Sequence, residues 1–385
     1  MNRFSLVRFN HLNPLIYGVF AVLFLLISCE TPEKVLKSNN LDYKYAKAIG
    51  WYNKKEYVKA IPVLEELIGL YKGTRNTEDL YYYYAMANYR QSDYMIAAYH
   101  FKNFTNLYPN SQFAEECLYL HARCNKMLSS KAELDQTYTY KALEAYQLFL
   151  NTYPVTNYLD QCNKDIQALR KKLETKALKN ADLYYKTSNF RAAATSFETL
   201  LVQFPDIEDA ERIQFMVVKA NFKFAQNSIF SKKPERFYKV VENNAQFAYK
   251  YPSSKYLQEA RDYAEQSYIE ILRAYKDQAA SVRGRERIGS FQNAIREHQR
   301  VYPKLEERYQ EEANELLENS YFQLIKTHYG MAEEFRGTEK LKILEETIQS
   351  YYTFVDSYKN SKYQQEAEKL FKKSRTEIEK IKSNG

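Results

Sequence analysis

The hydrophobic positions of this chain recur with the period of an α-helix. Tyr57, Ala60, Ile61, Leu64 and Leu67 are spaced at i, i+3, i+4, i+7 and i+10. That spacing places all five side chains on one face of a helix. A polar stretch at residues 53–56 precedes the helix, and similar faces and polar stretches follow along the chain. The pattern predicts helices in pairs, each pair joined by a short polar turn.

A motif recurs within this pattern: an aromatic residue, an alanine three positions later, and a proline twelve positions after the alanine. Its copies are Tyr94, Ala97 and Pro109; Phe190, Ala193 and Pro205; Phe237, Val240 and Pro252, with valine for alanine; and Tyr57, Ala60 and Lys72, without the proline. A small residue allows two helices to pack closely, and a proline ends the second helix. Such helix pairs are typical of tetratricopeptide arrays, whose period is about 34 residues. We therefore predict an all-α tetratricopeptide-repeat solenoid of about five repeats, with an additional C-terminal helical extension.

The same pattern predicts how the chain is divided. We expect a signal peptide at residues 1–28, a lipidated N-terminus and flexible tether at 29–40, repeats at 41–275, and a helical extension at 276–385. The polar residues 129–137 lengthen the turn inside the third repeat. In the extension, residues 358–367 echo residues 251–260 at a distance of 107 positions, sharing Ser-Lys-Tyr and Gln-Glu-Ala. The echo predicts added helical hairpins.

The N-terminus has the features of a targeting segment. Arg3 and Arg8 precede an apolar run at residues 15–27, which is short for a membrane-spanning helix of about 20 residues. A signal peptide is therefore the better interpretation. Leu26, Ile27, Ser28 and Cys29 resemble the lipobox of bacterial lipoproteins, in which the cysteine is acylated. We expect a covalent lipid on Cys29 that holds the protein to a bilayer, and no other cofactor.

Charge and candidate chemistry favour binding over catalysis. The net charge of +8 falls to +6 without residues 1–28. The sequence lacks a dense stripe of basic residues, so it does not indicate nucleic-acid binding. Neighbouring carboxylates such as Glu115 and Glu116 diverge around a helix and do not converge on a substrate. Cys117, His121 and Cys124 share a helical face at metal-ligand spacing, but no fourth ligand lies nearby. We predict a protein that is not an enzyme and holds no metal.

The first helices of the first two repeats carry the candidate binding residues. Ala48 and Ala85 occupy the small eighth position of each repeat, which assigns positions five, nine and twelve to a concave groove. The predicted peptide-binding groove contains Tyr45, Ile49, Tyr52, Tyr82, Met86, Tyr89 and the adjacent Arg90. Such a surface suits an aromatic peptide that ends in a carboxylate. The alternative is that several of these rings pack between repeats.

Several segments resemble the BamD family of outer-membrane β-barrel assembly lipoproteins. They are residues 57–62 (Tyr-Val-Lys-Ala-Ile-Pro), 93–104 (Asp-Tyr-Met-Ile-Ala-Ala-Tyr-His-Phe-Lys-Asn-Phe), 134–142 (Leu-Asp-Gln-Thr-Tyr-Thr-Tyr-Lys-Ala), 181–193 (Ala-Asp-Leu-Tyr-Tyr-Lys-Thr-Ser-Asn-Phe-Arg-Ala-Ala) and 204–206 (Phe-Pro-Asp). The resemblance spans roughly residues 25–275, beyond which this chain adds about 100 residues.

The resemblance implies a lipid-anchored protein on the periplasmic face of the outer membrane. It implies that the later repeats hold a BamA-like barrel protein by its POTRA domains, and that the first two offer a groove to unfolded barrel precursors. Two other interpretations stay open: a SusD-like glycan-binding lipoprotein and another tetratricopeptide adaptor of the cell envelope. SusD-like proteins usually carry Trp-rich loops, whereas this chain has one tryptophan, Trp51.

Overall fold

The computed structural model describes residues 31–74 and 76–383, and all regular structure within those ranges is helical. The α-helices are α1 (Pro32–Leu36), α2 (Leu41–Asn53), α3 (Tyr57–Leu70), α4 (Asn76–Arg90), α5 (Tyr94–Leu107), α6 (Ala114–Leu128), α7 (Thr137–Thr152), α8 (Leu159–Lys186), α9 (Phe190–Gln203), α10 (Ala210–Gln226), α11 (Lys233–Lys250), α12 (Leu257–Ser281), α13 (Gly284–Val301), α14 (Glu307–Ala332), α15 (Gly337–Ser357) and α16 (Gln364–Ser383). Short 3₁₀ helices lie at Phe230–Lys232 and Tyr302–Lys304. The predicted signal peptide and Cys29 lie outside the described residues.

The described part of the chain divides into two compact units, the first ending at Leu173 and the second beginning at Glu174. Within each unit, successive helices joined by short turns pack as antiparallel pairs, so the predicted all-α tetratricopeptide architecture is confirmed. The predicted division between residues 275 and 276 falls inside α12, within the second unit. Among the described helices, none combines the length and the apolar character that crossing a membrane requires.

The sequence motif marks the second helix of a pair. Tyr57, Tyr94 and Phe190 are the first residues of α3, α5 and α9. The alanine three positions later is fully buried in each case, as Val240 is in α11. Phe237 lies one turn inside α11, because Pro234 starts that helix earlier. The small residue therefore serves close helix packing, as the spacing predicts.

The lengthened turn of the third repeat is held by one buried side chain. Gln136 lies just before α7, and its amide nitrogen donates to the carbonyl oxygens of Lys131 (2.7 Å) and Leu134 (3.0 Å). Its amide oxygen accepts a hydrogen bond of 2.6 Å from Thr139. Buried backbone groups need hydrogen-bond partners. Because this loop forms no helix, the Gln136 side chain supplies partners for its carbonyl groups.

The 107-residue echo is a structural duplication within the second unit. Tyr256 stacks on Phe215 with ring centroids 4.7 Å apart, and Tyr363 stacks on Phe322 at 4.4 Å. The turns before them are also alike, since Ser254 and Ser361 each accept the backbone N–H two residues later at 3.0 Å. Helices α14 to α16 thus repeat the packing of α10 to α12.

An equivalent ion pair accompanies each stack. Lys219 lies 5.5 Å from the centre of the Phe215 ring and bonds Glu259 at 3.0 Å. Lys326, 107 positions later, lies 5.5 Å from Phe322 and bonds Glu366 at 3.2 Å. The added helical hairpins that the echo predicted are therefore present.

Residues 32–40 differ from the flexible tether that we expected. Pro32–Leu36 forms a helix, and the side chain of Val35 is fully buried in the core of the first unit. Asn40 then caps α2 by accepting a hydrogen bond of 3.0 Å from the backbone N–H of Tyr43. A single apolar residue such as Val35 in a polar segment is a weak sequence signal. Only the packed first repeat shows that its side chain is buried in the core.

Candidate peptide-binding face

Helices α2, α4 and α6 are the first helices of the first three repeats and carry the candidate site. Ala48 and Ala85, the proposed small positions, are fully buried. Tyr45, Ile49 and Tyr52 on α2 are partly exposed, as are Tyr82 and Tyr89 on α4, and Arg90 is exposed. We call these six residues, with Tyr83, Glu116 and Arg123, the tyrosine face.

Met86 is the predicted groove residue that the structure places elsewhere. Its side chain is only 3% exposed and belongs to the core of the first unit. Position nine of the second repeat turns inward because Ala85 and Ala87 on either side are also buried. Met86 therefore supports the helix and offers no surface to a ligand.

Tyr83 joins the rings of the first and second repeats. Tyr52 packs edge-on against it with centroids 4.9 Å apart, and Tyr82 does so at 5.7 Å. Tyr57 adds a further edge contact to Tyr52 at 5.7 Å. Edge-to-face rings at these distances attract each other, so Tyr52, Tyr83 and Tyr82 form a continuous row of rings across the first two repeats.

Tyr82 belongs both to the face and to the packing between repeats. Its ring stacks on Phe113 at 4.1 Å, and its hydroxyl donates a hydrogen bond of 2.9 Å to Glu116 on α6. Burial raises the pKa of Tyr82 well above its usual value, and the bond to Glu116 adds to the rise. The alternative of inter-repeat packing therefore holds in part for this ring.

The hydroxyls of Tyr45, Tyr52, Tyr82 and Tyr89 remain protonated at neutral pH. Burial raises the pKa of Tyr52 to about 12, with a contribution from Tyr57, while the nearby charge of Arg90 works against it. Burial likewise raises the pKa of Tyr45, with a smaller effect from Asp79, and the pKa of Tyr89. Neutral hydroxyls can donate hydrogen bonds to a peptide.

The face is electrically polarised along its helices. Glu116 lies in the first turn of α6, whereas Arg123 lies two turns later and Arg90 is the last residue of α4. The Arg123 guanidinium donates to the Tyr119 hydroxyl at 3.0 Å. Among the described residues, no carboxylate forms an ion pair with Arg90 or Arg123. Two cations therefore stand at one end of an aromatic surface without internal counter-ions.

The Cys117, His121 and Cys124 cluster has a packing role. Both thiols are fully buried, and a ring nitrogen of His121 lies 2.8 Å from the carbonyl oxygen of Ala98. In the part of the chain that the structure describes, no group of His, Cys, Asp and Glu is arranged to hold a metal ion.

Burial also determines the reactivity of the three described cysteines. It raises the pKa of Cys117, of Cys124 to about 12, and of Cys162 to about 11. Since the thiolate is the reactive form, we predict that none is alkylated by iodoacetamide at pH 8 in the folded protein. Mass spectrometry should find all three modified only after denaturation. Rapid modification of any one in the native protein would contradict its burial.

Stacked helical hairpins with an open aromatic and cationic face define a tetratricopeptide-type scaffold. Comparison with known families is consistent with this class. The model of the family YfiO, described as an outer membrane lipoprotein, matches residues 38–236, just over half of the chain. The chain belongs to this family of BamD-type outer membrane lipoproteins, whose members are non-catalytic scaffolds associated with the outer membrane.

Other comparisons give weaker likenesses. No curated protein matches the chain. Among solved structures, the TPR2AB domain of yeast Sti1 in complex with pHSP90 is 14% identical, covering 73% of this chain and 98% of that one, with a TM-score of 0.29. A tetratricopeptide repeat protein from Parabacteroides merdae is 13% identical over 87% and 98%, with a TM-score of 0.25. The C-terminal part of a repeat protein from Cytophaga hutchinsonii is 12% identical over 84% and 98%, with a TM-score of 0.23.

Proposed function

We propose that this protein is a scaffold of β-barrel assembly, anchored by a lipid on Cys29 to the periplasmic face of the outer membrane. In this role it binds a BamA-like barrel protein through POTRA domains and recruits unfolded barrel precursors. Family membership over residues 38–236 supports the general role. The tyrosine face supports the recruitment of precursors.

The observation that carries the recruitment proposal is the presence beside the rings of two arginines, neither of which forms an ion pair with a described carboxylate. A peptide with a terminal aromatic residue would place its ring against Tyr52 and Tyr89, and its carboxylate against Arg90 and Arg123. Arginine binds carboxylates through paired, charge-assisted hydrogen bonds, which suits a chain terminus. Tyr82 and Arg90 are about 12 Å apart along α4 by the helical rise, so the face accommodates about four extended residues.

The direction of the peptide follows from the polarity of the face. Glu116 and Asp79 lie towards the first turns of their helices, while Arg90 and Arg123 lie further along. A carboxylate is repelled at the first end and attracted at the second. We therefore expect the C-terminus of a bound precursor to lie at the ends of α4 and α6.

Reversing the charge of Arg90 tests this arrangement. Arg90→Glu should weaken binding of a peptide with a C-terminal phenylalanine about tenfold, since a charge-assisted bond is replaced by repulsion. Fluorescence anisotropy of the labelled peptide measures the dissociation constant. The amidated form of the same peptide should bind the original protein weakly and respond little to the substitution.

The matched control is Lys141→Glu, which makes the same charge change at an exposed position of α7. It should leave the affinity unchanged and exclude a general effect of net charge. Equal affinity of the acid and amide peptides for the original protein would contradict carboxylate recognition. Co-purification of a BamA-like partner with both variants tests the remainder of the proposal separately.

A further inference from the structure

One edge of the first unit collects the turns between repeats. Because the helices alternate in direction, the starts of α2, α4, α6 and α8 and the ends of α3, α5 and α7 meet there. Two contacts demonstrate this arrangement. Lys44 in the first turn of α2 bonds Glu66 in the last turns of α3 at 2.9 Å, and Thr156 after α7 bonds Glu115 at the start of α6 at 2.5 Å. We call this the turn edge.

The chain enters the first unit at the same edge. Helix α1 leads into the start of α2, and the buried Val35 fixes it to the core. Only Glu30 and Thr31 separate Cys29 from Pro32, the first residue of α1. Three residue steps span at most about 11 Å, so an acyl group on Cys29 would hold α1 close to the bilayer.

The turn edge also exposes apolar side chains, one from each inter-repeat connection. Leu70, the last residue of α3, is 53% exposed, and Leu107, at the equivalent place in α5, is 65% exposed. Val155, in the turn after α7, is 94% exposed. Helices pack 8–10 Å apart, so these three side chains form a row across neighbouring repeats.

Flexible cations stand near the start of the row. Lys34 lies within α1, Lys37 directly follows it, and Lys72 follows α3; all three are exposed. Lysines of this kind can extend to phosphate groups while their stems cover apolar surface. Apolar side chains with nearby lysines suit the boundary between lipid headgroups and acyl chains.

We propose that the turn edge of the first unit rests on the phospholipid bilayer that anchors the chain, with Leu70, Leu107 and Val155 inserted among the headgroups. This inference relies on the lipid anchor of the proposed function. The docked α1 is the link between the two, because it leaves too little free chain for the unit to turn its other edge to the membrane. The tyrosine face would thereby keep a constant orientation to the membrane.

A pair of fluorescent labels at opposite ends of one helix tests the orientation. The full-length lipoprotein carries NBD on Asn110→Cys, in the turn after α5, or on Gln91→Cys, in the turn before α5; both positions are exposed, whereas Cys117, Cys124 and Cys162 are fully buried. The probe is a vesicle of phosphatidylethanolamine and phosphatidylglycerol with headgroup-nitroxide lipid. Quenching should be several-fold stronger at position 110, and equal or stronger quenching at position 91 would overturn the proposal.

A matched pair of triple variants tests the apolar row. Replacing Leu70, Leu107 and Val155 with asparagine should reduce quenching at position 110 several-fold. Replacing Val58, Met95 and Tyr140, which are exposed near the starts of α3, α5 and α7, should leave it unchanged. The opposite result, or no difference between the variants, would indicate that this row does not contact lipid.

Two readouts keep this inference distinct from the proposed function. Mass spectrometry of the N-terminal peptide determines whether Cys29 is acylated, and an unmodified Cys29 overturns the orientation proposal. The affinity of the soluble acid peptide depends on Arg90 and not on lipid. Loss of peptide binding with normal quenching would reject precursor recognition alone, whereas normal peptide binding with inverted quenching would reject the orientation alone.

Discussion

Replacing Asp165 with alanine should destabilise the first unit by about 3 kcal/mol, the lower end of the range for breaking a buried ion pair. Asp165 on α8 is only 3% exposed and accepts three hydrogen bonds, from Tyr146 at 2.6 Å, Lys126 at 2.5 Å and Gln161 at 2.8 Å. Removing it leaves the fully buried Tyr146 hydroxyl without that acceptor. Lys126 is one-third exposed, so water partly replaces the ion pair that it loses with Asp165. The lower end of the range for the destabilisation therefore applies.

The contribution of Asp165 should also depend on pH. Burial alone would raise the pKa of Asp165, but hydrogen bonds from Lys126, Tyr146 and Gln161 outweigh burial and hold it below its usual value. A carboxyl group with a lowered folded-state pKa stabilises the protein above its unfolded pKa of about 3.9. That stability is lost as the pH falls through the folded-state value. The difference between the original protein and Asp165→Ala should therefore be present at neutral pH and shrink in acid.

Urea denaturation followed by circular dichroism measures both effects. Gln161→Ala is the matched control, because it removes one exposed donor from the same carboxylate and should cost less than about 1 kcal/mol. An Asp165→Ala variant as stable as the control at neutral pH would show that the network contributes little.

Truncating Phe104 to alanine should cost about 3–5 kcal/mol and also weaken peptide binding. Phe104 on α5 is fully buried, and its ring lies 5.2 Å from Tyr108, 6.1 Å from Tyr81 and 6.4 Å from Tyr82. The cavity left behind removes support beneath Tyr82, whose stack on Phe113 positions part of the tyrosine face. We expect both a lower free energy of unfolding and a larger dissociation constant for the acid peptide.

Phe354 provides a matched control in the second unit. It is also fully buried, and its carbonyl oxygen accepts the backbone N–H of Tyr358 at 2.8 Å, as that of Phe104 does for Tyr108. Phe354→Ala should destabilise its own unit by a similar amount and leave peptide affinity unchanged in the folded protein. Phe104→Leu, which keeps most of the volume, should cost less than about 1.5 kcal/mol. Equal loss of affinity in the two alanine variants would indicate general unfolding.

The candidate site could be predicted in part from spacing. The small eighth position located Tyr45, Tyr52, Tyr82 and Tyr89 on partly exposed helix faces, because a helical period determines which side chains share a side. The same count misplaced Met86, because α4 is buried from Tyr84 to Asn88 and its exposed strip is therefore narrower than that of α2. Glu116 and Arg123 were missed, since they reach the face from the next repeat.

The sequence by itself determined the helical pairs, the close contacts at Ala60, Ala97 and Ala193, the lengthened third turn and the duplicated hairpin. These features depend on local periodicity and residue size, and both can be read directly from the amino-acid sequence. Only the tertiary structure decided that Val35 packs the N-terminal segment into the core, that Asp165 accepts bonds from three donors, and that neither Arg90 nor Arg123 forms an ion pair with a described carboxylate. Each of these depends on contacts between residues distant in sequence, and burial and charge pairing arise only when helices pack.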